Sequence, residues 1–357
     1  MSKRNYCIAL LRGDGIGPEV VDAALVVLEA ARCAVGLDIK YEDHDAGALL
    51  YQRTGVALPE ETRQAVGRAD AVLLGAMGLP DVRKPDGTEV APQIDLREAY
   101  ALFASLRPAR LLDGVEGPLR NASVDMLVIR ETTEGLFAGR HDPAEPSNTS
   151  VSDRMTITRA TSEKLFELAF QQARLRRARG TPGKVTLVDK ANVLRSNAFF
   201  RKIFDEVAAR HPDIATERLY IDAAAMMIVT QPGRFDVLVT ENVFGDITSE
   251  IAAGVVGGLG LAPSADVSAT HGIFQPSHGS APDIAGLQVA NPVAAILSAA
   301  MMLEWLGHRH DDAACLKAAE AIQDATAKVL RSGPRTRDLG GTASTTQVAA
   351  AIAAALA

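Results

Sequence analysis

Cysteine is scarce. Cys7, Cys33 and Cys315 are too few and too scattered for a disulfide framework or a zinc site, and no CxxC pair or neighbouring histidines supports either. Reduced thiols in a cytoplasmic protein are therefore expected. Positive charge is not in excess: the net charge of −7 argues against nucleic acid as the principal partner. The one arginine-rich run, Arg174 to Arg179, falls in the last turns of a predicted helix, where cations suit the helix dipole. No apolar run is long enough to span a bilayer, and Met1 to Arg4 leads straight into a strand, so neither a membrane segment nor a signal peptide is expected. Internal repeats and low-complexity segments are missing as well. What remains is a globular chain of 357 residues, 47% hydrophobic and 23% charged, long enough for two domains with a sizeable core.

The stretch Phe235 to Gly260 organises the rest. DVLVT reads as a buried strand, Asn-Val-Phe-Gly-Asp as a turn, and ITSEIAAGVV as a small-residue helix. Asp246 is then expected in the first turn of that helix with Glu250 four residues on, both carboxylates on one face, an arrangement that attracts a divalent cation. Taken alone, an acid at a helix start is more often a cap and its i+4 neighbour solvated. The construction recurs, however: KVTLVDKAN ends a strand at Asp189-Lys190, ERLYIDAAAMMIV ends one at Asp222, and DMLVI ends at Arg130. Open α/β sheets bind ligands beyond the carboxyl ends of their strands, so four charged residues there point to a site.

Taken in order, Asn5 to Leu11 is a predicted strand followed by Arg12-Gly-Asp-Gly-Ile-Gly-Pro-Glu19 and a helix to about Ala31. This imitates a dinucleotide fingerprint incompletely, because Pro18 stands where GxGxxG needs its last glycine and no acid ends a strand at the ribose distance. A second βα alternation covers 39–74, and a helix is expected from about Ile94 to Ser105. Arg97 lies in that helix and Arg107 before Pro108, which forces an extended backbone. The planar fork of arginine suits a carboxylate, and spacing alone leaves both as ordinary surface arginines equally well. Residues 140–158 read as a protruding loop plus strand, an arm. Residues 261–274 read as loop, and Arg337 to Gly341 as a turn between two C-terminal helices.

RGDGIGPE, LRPAR, VIRETTEG, VTLVDKANVL, FDVLVTENVFGDI and HGSAPDIAG, in that order and over essentially the whole chain, resemble the β-decarboxylating dehydrogenases, which include isopropylmalate, isocitrate, homoisocitrate, tartrate and D-malate dehydrogenases. The resemblance implies a two-domain α/β fold with a central mixed sheet flanked by helices, not a Rossmann fold. A larger domain would be built from 1–103 and 257–357, and a smaller one from 104–256 would supply the dimer contact. It implies a homodimer with shared sites, Lys190 and Asp222 coming from the neighbouring subunit. Mg²⁺ or Mn²⁺ would be held by Asp222, Asp246 and Glu250, with Lys190 as base, and Arg97, Arg107 and Arg130 would grip the carboxylates of a malate-type hydroxy diacid. HGSAPDIAG matches the adenosine-side cofactor loop: His278, Gly279, Ser280, Ala281, Asp283, Ile284 and Asn291 would bind NAD, Asp283 accepting from the ribose hydroxyls and repelling a 2′-phosphate. Relatives that use NADP carry Lys-Tyr where this chain has Asp283-Ile284.

Three positions depart from the family pattern. Glu250 replaces an aspartate and lengthens one metal arm. Phe137 replaces the tyrosine that protonates carbon after decarboxylation, and phenylalanine has no proton to give. Gln93 and Ile94, followed by Asp95, stand where isopropylmalate enzymes cover the isopropyl group with two leucines, and an unpaired amide beside an alkyl group is costly. The expectation is therefore NAD-linked oxidation, with decarboxylation, of a diacid with a small or polar C3 substituent. The alternatives are oxidation without decarboxylation, a non-catalytic regulatory subunit, or a plain Rossmann protein in which Asp283 is irrelevant.

Overall fold

A computed structural model describes residues 4–119, 123–142 and 149–356. The chain divides into two compact units: Met1–Tyr100 with Leu112–Gly117 and Val256–Ala357, and Ala101–Leu111 with Pro118–Val255.

The first unit begins with β1 (Asn5–Gly13), α1 (Gly17–Val35), β2 (Asp38–Asp43), α2 (Ala48–Thr54), α3 (Glu60–Arg68), β3 (Ala71–Ala76) and α4 (Pro92–Ala99). Pro18 opens α1, where its missing N–H costs nothing, and Gly36 ends it in the left-handed region. The second unit follows with β4 (Ala104–Arg110), β5 (Asp125–Glu131), α5 (Arg159–Ala178), β6 (Val185–Asp189), α6 (Arg195–Ala208), β7 (Thr216–Tyr220), α7 (Ile221–Thr230), β8 (Val237–Thr240) and α8 (Asn242–Val255). The chain then returns to the first unit for β9 (Pro263–Val267), β10 (Gly272–Pro276), α9 (Val293–His310), α10 (Ala313–Ser332) and α11 (Thr345–Ala354). Among the described residues, no helix is long and apolar enough to cross a membrane.

Each unit carries a mixed sheet flanked by helices. In the first, strands lie in the order β2-β1-β3-β10-β9, all parallel except β9, which runs antiparallel to β10. In the second the order is β4-β5-β8-β6-β7, all parallel except β4. The buried runs of β3, β6 and β8 are what a sheet covered on both faces requires. In the second unit, Phe166 and Phe170 of α5 and Phe200 and Phe204 of α6 are all buried, with the Phe166 and Phe200 rings 4.6 Å apart. Each buried ring stabilises by roughly 1.5–3 kcal/mol. That packing fixes the strands whose carboxyl ends carry the charged residues.

Three expectations need correction. The helix bearing Asp246 starts at Asn242 rather than after a turn, so Asp246 lies in its second turn. Buried Glu241 stands just before it and accepts the N–H groups of Val243 and Phe244, which lets the helix begin early. The helix expected from Ile94 to Ser105 ends at Ala99, and Ala104 already belongs to β4, whose apolar residues pair with β5. Residues 261–274 are not simply loop, because β9 and β10 pair there across a short connection. Of the arm expected at 140–158, residues 143–148 lie outside the described residues. The described remainder contains one isolated pairing, Thr156 with Gly135.

Candidate active site

The register of β4 on β5 sets Ser105 opposite Arg130, and opposed residues share a face. Arg107, two residues along, therefore lies on that face too, and its Nε donates to Ser105 Oγ at 2.9 Å. Helix α8 crosses the end of β5 so closely that a Cβ on Gly245 would stand 2.6 Å from Arg130 Cβ and Cγ. That approach brings Asn242 and Asp246 onto the buried Arg130 guanidinium. Nε and Nη2 donate to Asn242 Oδ1 at 3.1 and 2.7 Å, and Nη1 donates to Asp246 Oδ1. Asn242 is fixed in turn by donating to the Glu134 carbonyl at 3.0 Å. The Phe137 ring lies 5.6 Å from the Arg130 guanidinium carbon.

Glu250 belongs to the same group. Partial burial raises its pKa, Asp246 adds to the rise, and Arg107 and Arg130 pull the other way. Two carboxylates one helical turn apart, one of them resisting its charge, fit a hard divalent cation, whose charge relieves both. Among the described residues, no three His, Cys, Asp or Glu side chains of one chain are close enough to hold a metal. Asp222 lies elsewhere, in the first turn of α7, where Lys190 Nζ donates to its Oδ1 at 2.6 Å and holds its pKa below the usual range. Lys190 is itself seated by Asn197, whose Oδ1 accepts the Lys190 N–H at 2.9 Å. The second unit thus brings together Arg107, Arg130, Phe137, Asp246 and Glu250 as one group and Lys190 with Asp222 as another.

The other expected site residues belong to the first unit. Arg97 is buried in α4 and donates from Nε to Asp266 Oδ2 at 2.9 Å. Gln93, in the first turn of α4, has a buried Oε1 without a hydrogen-bond donor. After β10 comes the loop of His278 to Asn291. The His278 Nδ1 faces the Gly279 carbonyl at 2.9 Å, and burial lowers its pKa, so the ring is neutral with the proton assigned to Nδ1 by that contact. Its Nε2 is then a buried acceptor without a donor, a group that an adenine amino group could meet. Asp283 is exposed, Ile284 half-buried, and Gly279 has open space about its Cα. Asn291 donates to Asp338 Oδ2 at 2.9 Å and accepts from the Val293 N–H at 3.1 Å. These features fit an adenine dinucleotide.

Sequence reasoning missed three partners. Asn242 holds Arg130, Asp266 holds Arg97, and Asp338 holds Asn291. Asn242 was the findable one, being polar and next to a strand end. Asp266 lies within β9 and Asp338 in the turn before α11, so neither carries that strand-end signal.

The family description "Isocitrate/isopropylmalate dehydrogenase" matches residues 7–352. The chain is 44% identical to a 3-isopropylmalate/3-methylmalate dehydrogenase of Methanocaldococcus jannaschii, over 97% of both chains. It is 41% identical to a 3-isopropylmalate dehydrogenase of Moorella thermoacetica, over 94% of this chain and 93% of that one. Among solved structures, isocitrate dehydrogenase from Methylococcus capsulatus is similar with a TM-score of 0.87 at 36% identity, covering 98% of this chain and 99% of the other. The chain belongs to the isocitrate/isopropylmalate dehydrogenase family, oxidoreductases that use NAD and a divalent metal such as Mg²⁺ or Mn²⁺.

Proposed function

We propose that this protein oxidises, with decarboxylation, a malate-type 2-hydroxy dicarboxylic acid bearing a small or polar C3 substituent, and that it works in the cytoplasm as a homodimer with shared active sites. The observation that carries the reading is the Arg107 and Arg130 pair on one sheet face beside Asp246 and Glu250. Two guanidinium groups suit two carboxylates, and the adjoining acids suit the cation that an α-hydroxy acid chelates. A metal held by Asp246 and Glu250, with Asp222, would supply Lewis acidity toward the C2 oxygen, and NAD held by residues 278–291 would supply the hydride acceptor.

The chain's own residues do the rest. Lys190, matching the family's base, would release to solvent the proton it shares with Asp222 and, as the neutral amine, take the hydroxyl proton. Because Asp246 is bonded to Arg130 Nη1, that ion pair opens when Arg130 takes a substrate carboxylate and Asp246 a cation. Phe137 lies against the Arg130 guanidinium and supplies no proton, so the carbon left after carbon dioxide departs is protonated by Lys190 or by water. Gln93 matches a position that covers the C3 substituent in the family, and its unmet acceptor supports a polar or small group there over a branched alkyl chain. The name of the Methanocaldococcus relative includes 3-methylmalate, a malate with one carbon at C3. Exposed Met226 and Val229 on α7 and Ile247 on the α8 helix it packs against support a dimer contact next to Asp222. The three cysteines are free thiols, as a reducing compartment keeps them.

The absence of an acidic hydroxyl on Phe137 favours a second reading, oxidation that stops at the keto acid. The test runs malate, tartrate, 3-methylmalate and 3-isopropylmalate with NAD and Mn²⁺ in D₂O, following NADH, carbon dioxide and deuterium at C3. Equal yields of all three support decarboxylation, and NADH with neither of the others overturns it. A preference for 3-isopropylmalate over 3-methylmalate above about 100-fold, the scale on which a fitted apolar pocket rewards added methylenes, would remove the C3 assignment.

A further inference from the structure

Asp14 is a charged side chain with 1% exposure in the loop between β1 and α1, and none of the chemistry above uses it. Its Oδ2 accepts the N–H groups of Ala48 at 2.7 Å and Gly78 at 2.9 Å, and its Oδ1 accepts that of Leu49 at 2.9 Å. Three backbone donors from two separate segments thus converge on one carboxylate. The space is cut to fit it: a Cβ on Gly47 would stand 2.7 Å from Oδ2, and Gly13 and Gly15 on either side have φ of 75° and 57°. The glycines that imitate a phosphate loop in the sequence serve here to seat a carboxylate.

From Asp14 the bonds run to the loop assigned to NAD. Gly78, whose N–H is on Asp14, accepts at its carbonyl the hydroxyl of Ser280. The Ser280 carbonyl accepts the N–H of Ile16, two residues beyond Asp14, at 2.8 Å. The circuit Asp14, Gly78, Ser280, Ile16 is closed within the first unit. A Cβ on Gly15 would stand 1.9 Å from the Ser280 carbonyl oxygen, so the loop and the circuit are in contact as well as bonded. Ser280 is held at both its hydroxyl and its carbonyl, and the next residue, Ala281, has φ of 38°, a conformation non-glycine residues adopt only where their surroundings enforce it. Ala281 leads directly to Pro282 and Asp283.

We propose that Asp14 is a positioning residue for the cofactor: through Gly78, Ser280 and Ile16 it fixes the backbone of 280–283 and so the aim of the Asp283 carboxylate at the nucleotide ribose. This rests on the assignment of residues 278–291 to NAD. Ser280 then acts through its bonds to the loop rather than by donating its buried hydroxyl to the nucleotide.

The experiment measures NADH affinity by calorimetry for the intact protein and for Asp283→Ala, Asp14→Asn and Ser280→Ala, together with KM for NAD and for the hydroxy acid. Asp14→Asn keeps the shape but turns a donor toward backbone N–H groups. It is expected to weaken NADH about tenfold, the effect of one hydrogen bond's worth of order, with the hydroxy-acid KM within about twofold. Ser280→Ala should shift the same way. Hydrogen exchange at 280–283 without cofactor should quicken in both, a change that a role confined to global stability would not produce alone. If Asp283→Ala leaves NADH binding unchanged, the cofactor assignment itself fails. If Asp283→Ala weakens binding while Ser280→Ala and a folded Asp14→Asn do not, the positioning role alone is overturned. Should Asp14→Asn fail to fold, Ser280→Ala, which removes one hydroxyl, decides by itself.

Discussion

Glu131 follows Arg130 in the chain and turns its carboxylate back on its own backbone. It accepts the Thr133 N–H and hydroxyl, both at 2.7 Å, and the Glu134 N–H at 2.8 Å. Burial outweighs these donors and pushes the carboxyl up to about 7. Unfolded, the same group titrates near the ordinary value of about 4.3. Between those two values the folded protein holds more protons than the unfolded chain, so stability falls as pH rises through the window. The expected loss between about pH 4.5 and pH 7 is on the order of 3 kcal/mol. Glu131→Gln should flatten that slope, and urea unfolding at pH 5, 6 and 7 measures it. Equal slopes in the two proteins would mean that the carboxylate is charged throughout. Arg130 and Lys190 were legible in the sequence because each is a charged residue at or just beyond the end of an apolar strand, and Asp246 because it stands four residues before Glu250 in the helix that follows one. Glu131 was not, since nothing in RETTEG says which of its two acids is buried.

Helix α8 decides where the acids stand. It lies on Arg130 because Gly245 has no side chain, and a methyl group there would sit 2.6 Å from Arg130 Cβ. Gly245→Ala must push α8 off β5, a clash of the kind that costs about 1–3 kcal/mol in a packed core. Asn242, Asp246 and Glu250 move with the helix, so the variant should bind Mn²⁺ at least about tenfold more weakly, even at temperatures where it is fully folded. Mn²⁺ titration followed by electron paramagnetic resonance, beside a thermal melt, separates the two effects, and unchanged Mn²⁺ affinity would show that the acids are set by something other than this contact. Strands β1, β3, β6 and β8 were readable because each is a short apolar run. The pair β9 and β10 was not, as Pro263, Ser264, Asp266 and Gln275 break the apolar pattern. Their polar groups bond to one another: Ser264 donates to the Gln275 carbonyl, and Gln275 donates to Asp266 Oδ2.

On the scale of the whole molecule, the family resemblance implies both chain ends in one unit and the middle in another. It gives no sign that Leu112–Gly117 belongs with the ends. That excursion is held by contacts remote in sequence: Gly114, at φ 85°, sits against Leu330 and Arg331, and Arg331 Nη2 donates to Asp113 at 3.0 Å. Remote contacts also bear on the assembly. Within one chain Lys190 is bonded to Asp222, while Asp246 and Glu250 gather with Arg107 and Arg130. If the site needs Lys190 and Asp222 beside Asp246, as the proposed shared-site dimer has it, a second copy would supply them, and the exposed Met226, Val229 and Ile247 would lie in its contact. The test is complementation. Lys190→Ala and Asp246→Asn dimers are each expected to be nearly inactive, having lost one group from both of their sites. In a mixed dimer one site loses both groups and the other keeps Asp246 from one chain and Lys190 from the other. Random co-assembly makes half the dimers mixed, so activity should return to about a quarter of the unaltered level by the symmetry of the pair. Co-expressed and subunit-exchanged mixtures that stay as inactive as their parents would mean that each site is built from a single chain.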